Sequence, residues 1–160
     1  MDVSPLHGLR LPQVLACEFL SVFARCEYAL KASGFARGDE TRVDANWDAF
    51  AQEIDLDMSA NANPDVAAAI EYLLSQPPRK QVLLQGALEW RDAPPDASLP
   101  RTLQVLAMVR RVRNNLFHGG KMGIDPNAPF ERDELLVRHS LVILHHCSLA
   151  HERLAQAYHA

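Results

Sequence analysis

The residues best equipped for chemistry lie in one short stretch, 113-RNNLFHGGK-121. Four residues separate Arg113 from His118; two asparagines follow the arginine and two glycines follow the histidine. An imidazole moves protons near neutral pH. A guanidinium is a permanent cation whose donors match a phosphate. Together they are the minimum set for cleaving a phosphodiester without a metal. The histidine carries a proton to or from the reacting oxygens, and the arginine stabilises charge on the phosphate. Asn114 and Asn115 can hydrogen-bond to either group or to a ligand. Arg110, Arg111, Arg113 and Lys121 make this the most basic segment of an acidic chain, a footprint suited to phosphate. On spacing alone, an arginine and a histidine near a helix end more commonly cap carbonyls or pair with neighbours. The elements around them must decide.

Those elements read as helices, because apolar residues recur at three- and four-residue steps and strand-like alternation is nearly absent. A first helix over 12–32 carries Leu15, Phe19, Val22, Cys26 and Leu30 on one stripe, widened by Phe23, and stops at Gly34. The polar connection RGDETR leads to a second helix over 44–57, with Trp47, Phe50 and Ile54 on one face. A third begins after Pro64, with Val66, Ala69, Ile70, Leu73 and Leu74 inward, and ends at 76-QPPRK-80 because proline cannot continue it. QVLLQGALEW fits a short helix or an extended piece, and DAPPDASLP is a surface loop by composition. A fourth helix over 99–117 has Leu103, Leu106, Val109, Val112 and Leu116 as its core face. Arg113, four residues after Val109, lies on or beside that face. Gly119-Gly120 ends the helix, and a loop leads to a last helix over 130–157, with Glu131, Asp133 and Glu134 at its start. The expected fold is therefore all-α, an antiparallel bundle of four to five helices forming one domain over 1–160.

The totals set bounds. At 160 residues and 48% apolar the chain suits one domain with a full core, and a net charge of −4 excludes a basic protein that coats nucleic acid. Cys17, Cys26 and Cys147 form no CxxC pair, and Cys17 and Cys26 share a helix and cannot bond. Sparse, odd cysteines point to a reducing cytoplasm. The first ten residues lack the pattern of a signal peptide, and no apolar run is long enough to span a membrane. Cys147 and His151 are four apart, and His139, His145, His146 and His159 lie nearby, but nothing completes a metal site at sensible spacing. No nucleotide-cofactor motif occurs, so neither metal nor cofactor is expected. Glu27 follows the core residue Cys26 and falls at the rim of the bundle; as an exposed helix residue it would pair with Lys31.

With these elements in place, 112-VRNNLFHGGK-121 resembles the Arg-x4-to-6-His motif of the HEPN (higher eukaryotes and prokaryotes nucleotide-binding) domains, where a polar residue, here Asn114, follows the arginine. The stretch 23-FARCEYALKASGF-35 is similar to a first-helix pattern of some of these domains, and 77-PPRKQ-81 and 88-LEW-90 resemble segments of the same subgroup. The resemblance implies a bundle of four to five helices that dimerises, with the motifs of two copies meeting in one cleft. It implies a metal-independent endoribonuclease of toxin–antitoxin, anti-phage or RNA-processing systems, or a relative that has lost activity and binds nucleotide, RNA or protein. On this reading Arg113 and His118 are catalytic and Asn114 supports them. Glu27, Asn115, Arg110 and Lys121 support the site or hold substrate. RNA is the substrate, and a nucleotidyltransferase-type antitoxin is the family's suggestion for a partner.

Overall fold

The computed structural model describes residues 9, 11–118 and 130–160 and is mostly helical, with two small antiparallel sheets. The first helix, α1 (Gln13–Ala32), buries the expected stripe from Leu15 to Leu30, together with Ala16, Phe23 and Ala29. It ends where the Ser33 hydroxyl donates to the Ala29 carbonyl and Gly34 takes φ +101°, a backbone shape that costs glycine nothing.

The polar connection is not featureless. Strands β1 (Ala36–Gly38) and β2 (Val43–Ala45) pair antiparallel, with Arg37 opposite Asp44. The Asp39 carboxylate closes their turn by accepting from the Thr41 hydroxyl and amide, bonds that hold its pKa below the ordinary carboxylate value.

The expected helix over 44–57 is divided. Its first two residues belong to β2, helix α2 (Trp47–Glu53) follows, and α3 (Leu56–Ala62) begins anew. Each start has its own cap: Asn46 accepts from the Ala49 amide, and Asp55 accepts from the Asp57 and Met58 amides. Asp55 takes an extended backbone to do so, which breaks the run. Asn63 then caps α4 (Pro64–Ser75), which takes Pro64 into its first turn rather than beginning after it.

Residues 80–91 resolve the ambiguity left by the sequence in favour of an extended hairpin. Strands β3 (Lys80–Leu84) and β4 (Ala87–Arg91) pair from Lys80↔Arg91 to Leu84↔Ala87. Gln85 and Gly86 both have positive φ (50° and 84°), the turn whose twist suits two antiparallel strands.

Helix α5 (Arg101–Phe117) buries Leu106, Val109, Val112 and Leu116 as expected. Leu103 is only partly buried, and Thr102, Val105 and Met108 complete the inner face. The expected last helix is two: α6 (Phe130–Leu149) and α7 (Glu152–His159). His151 adopts an extended backbone between them, and α7 turns back against α1. Helix α6 packs on α4 and α1, and α5 lies across α2, α4 and α6. One core joins them through Phe19, Phe50, Ile70, Leu106, Ile143 and Leu144, all essentially inaccessible. Among the described residues, no helix is long and apolar enough to cross a membrane.

Candidate functional site

The last turns of α5 carry the Arg–His stretch, and the helix geometry divides its side chains between two neighbouring clefts. Arg113 is half-buried, on the edge of the apolar face where the spacing puts it. Its guanidinium lies 5.3 Å from the centre of the Phe23 ring on α1 and 4.9 Å from that of Phe117, one helical turn on. It also donates to the Asn114 side-chain oxygen at 3.0 Å. These contacts fix a flat cation at the mouth of a cleft of about 350 Å³, whose other walls include Ser21, Ala24, Glu27 and Phe117.

Glu27 shares that cleft but forms no ion pair with Arg113 or with Lys31. Its carboxylate instead accepts from the Trp47 indole N–H at 3.3 Å. This ties α1 to the start of α2 through an aromatic cluster that includes Phe23, Phe50 and Phe35.

His118 closes α5. Its backbone N–H donates to the Asn114 carbonyl, and its ring is exposed, edge-on to Phe117 with centres 5.3 Å apart. The imidazole and the guanidinium thus both contact one phenyl ring, and their separation cannot exceed the sum of their distances to it. They nevertheless open onto different clefts. His118 lines a larger one of about 500 Å³ between α5 and the β3–β4 hairpin, with Asn114, Arg110, Asn115, Lys80 and Gln81. Asn114 bridges the two, bonding Arg113 while facing the larger cleft.

The wall of the larger cleft is held by donors that grip main-chain carbonyls. Arg111 donates to the carbonyls of Pro78 and Ala93, Asn115 to that of Arg79 at 2.8 Å, and Arg132 to that of Pro77 at 2.7 Å. Arg79 reaches the Trp90 carbonyl at 2.7 Å and pairs with Asp92. Burial pushes the Arg111 pKa down, yet its hydrogen bonds keep the charged group satisfied. Arg111 and Asn115 are therefore committed to the frame. Arg110 reaches Asp48 across the rim at 3.5 Å with its guanidinium still partly exposed. Among the described residues, no carboxylate lines this cleft.

Of the residues singled out in the sequence, Arg113 and Glu27 meet in the smaller cleft, and His118, Asn114, Asn115 and Arg110 meet in the larger. Lys121 and the two glycines lie outside the described residues. Lys80, Gln81 and the two phenylalanines that hold Arg113 fall inside the stretches of resemblance, 77–81, 23–35 and 112–121, but none of the four stands out by its own chemistry in the sequence. Cys26 and Cys147 are buried, and burial pushes both thiols up, Cys26 to about 12; Cys17 is exposed, and all three are free. Among the described residues no three histidines, cysteines or carboxylates gather as a metal site, and His151 packs edge-on to Phe35. No protein-family model, no curated protein and no solved structure matches the chain.

Proposed function

We propose that this protein is a metal-independent endoribonuclease of the HEPN type, a helical bundle whose composite site forms between two copies of the chain and which serves in the cytoplasm as a toxin or anti-phage component. The observation that carries this reading is that the Arg113 guanidinium and the exposed His118 imidazole both lie against the Phe117 ring. In the proposed reaction the ribose 2′-oxygen attacks the adjacent phosphorus and the 5′-oxygen leaves. The products are a 2′,3′-cyclic phosphate and a 5′-hydroxyl. His118 transfers the proton, Arg113 holds the phosphate charge, and Asn114 keeps the guanidinium in place.

Two features support a second copy. Phe117 is 62% exposed beside Arg113. The solvent face of α1 next to it presents Val14, Cys17, Ser21, Ala24 and Tyr28 at alternating three- and four-residue steps, the spacing of a helix seam. A partner covering this face would bring another His118 toward Arg113.

A second reading rests on the division between clefts. In one chain Arg113 and His118 open separately, which favours an inactive domain that binds nucleotide, RNA or a partner protein such as a nucleotidyltransferase antitoxin.

Total RNA incubated in EDTA with the unsubstituted chain and with His118→Ala separates the two. Cutting by the former alone, leaving cyclic phosphate ends, is the expected result. Cutting by both removes His118 from the chemistry, and cutting by neither favours the binding domain.

A further inference from the structure

The cleft between α5 and the β3–β4 hairpin has more cationic lining than the Arg–His pair requires. Lys80 lines it, is exposed, and has no ion-pair partner among the described residues. Directly across the hairpin from Lys80 stands Arg91, also exposed. Like charges placed opposite each other on a sheet destabilise it. Glu89, on the same face, forms no ion pair with either. A bound anion would remove that repulsion. Gln81, next along β3, lines the same cleft and has both donor and acceptor capacity. Arg110 supplies a second cation opposite, at one turn's spacing from Asn114 along α5. The cleft is open, holds about 500 Å³, and is walled by one helix and one two-stranded hairpin. That space has room for the sugar, phosphate and base of a nucleotide.

We infer that this groove binds single-stranded RNA, with Lys80 and Arg110 gripping a phosphate beside the one at His118 and Gln81 meeting a base edge. The inference rests on the nuclease reading of the α5 terminus and names the substrate form that site takes and the hairpin that presents it. The groove needs no broad basic surface, which agrees with a chain of net charge −4. The carbonyl bonds from Arg111, Asn115 and Arg132 hold the segment leading into the hairpin in position before any ligand arrives.

The test is fluorescence anisotropy with a short fluorescein-labelled RNA of mixed sequence. The full chain carries His118→Ala so that the RNA survives. Binding is expected to tighten at low salt. Lys80→Ala weakens it about three- to tenfold and reduces the salt slope by about one, as loss of one phosphate contact does. Lys80→Arg restores it, and Arg153→Glu, on α7, leaves it unchanged. The same RNA annealed to its complement binds more weakly. No binding, unchanged binding in Lys80→Glu, or duplex bound as tightly as single strand each overturns the inference. Cleavage by the chain with His118 intact is scored separately. Undiminished cleavage with Lys80→Glu sinks the groove and leaves the nuclease. Lys80-dependent binding without any cleavage keeps the groove and sinks the nuclease.

Discussion

Arg113 shows how little a charge alone says about a residue's task. Its guanidinium lies against two phenyl rings while donating to Asn114, a combination that suits a delocalised guanidinium better than a point cation. Arg113→Lys is accordingly expected to retain the fold, losing about 1 kcal/mol or less of unfolding free energy in a urea titration, since exposed cation–ring contacts are each worth about 0.5–1 kcal/mol. RNA cleavage by the same variant should fall about a hundredfold or more, the usual effect of losing one preorganised donor to a developing charge. Cleavage at the parental rate in Arg113→Lys would show that only the charge matters. The place of Arg113 at the edge of the apolar face was legible, because helical spacing alone sets it. The partner of Glu27 was not. Trp47 lies on a different helix, and only tertiary packing brings its indole to that carboxylate.

Among the elements, long periodic helices were the legible part, and the joints were not. Asp55 and His151 end helical runs without any glycine or proline, by taking extended backbones that start the next helix. The hairpin was hidden because Leu83 and Leu88, paired across it, are both exposed, so its apolar pattern does not report a buried face. One joint between elements carries a pH dependence. His139 on α6 stacks on Tyr72 of α4 with ring centres 4.6 Å apart, and burial holds its pKa below the ordinary value of 6.5. The folded state thus prefers the neutral ring. Its contribution to stability is fully present above about pH 6.5 and is lost as pH falls through the lowered folded value. Urea midpoints for the unsubstituted chain are expected to hold near pH 7–8 and to drop on acidification. His139→Phe keeps an aromatic partner for Tyr72 and should show a shallower drop. Parallel curves for the two proteins would place the acid sensitivity elsewhere.

For the whole molecule the site is a matter of geometry: one chain directs its arginine and its histidine into separate clefts, and the proposed dimer would join them. Ala24→Arg sets a long cation in the middle of the exposed α1 seam at little cost to the helix itself. Sedimentation should find the unsubstituted chain at about twice its mass of 17.8 kDa and Ala24→Arg at about one mass. RNA cleavage should drop about tenfold or more in that variant, about 1.4 kcal/mol of transition-state stabilisation, while binding in the hairpin groove persists. A monomeric parent that still cuts would require both groups to act within one chain. The carbonyl clamp beneath the hairpin bears on a different matter, the order of assembly. Arg111 and Asn115 are one turn apart and face the same way only after α5 has wound. The chain from Pro77 to Arg79 cannot be seated before then. Local helix formation is fast, so the hairpin is expected to dock onto a helix already wound. A newly made chain would then complete this wall after the helix that bears His118, with amides of α5 protected from exchange before those of β3 and β4.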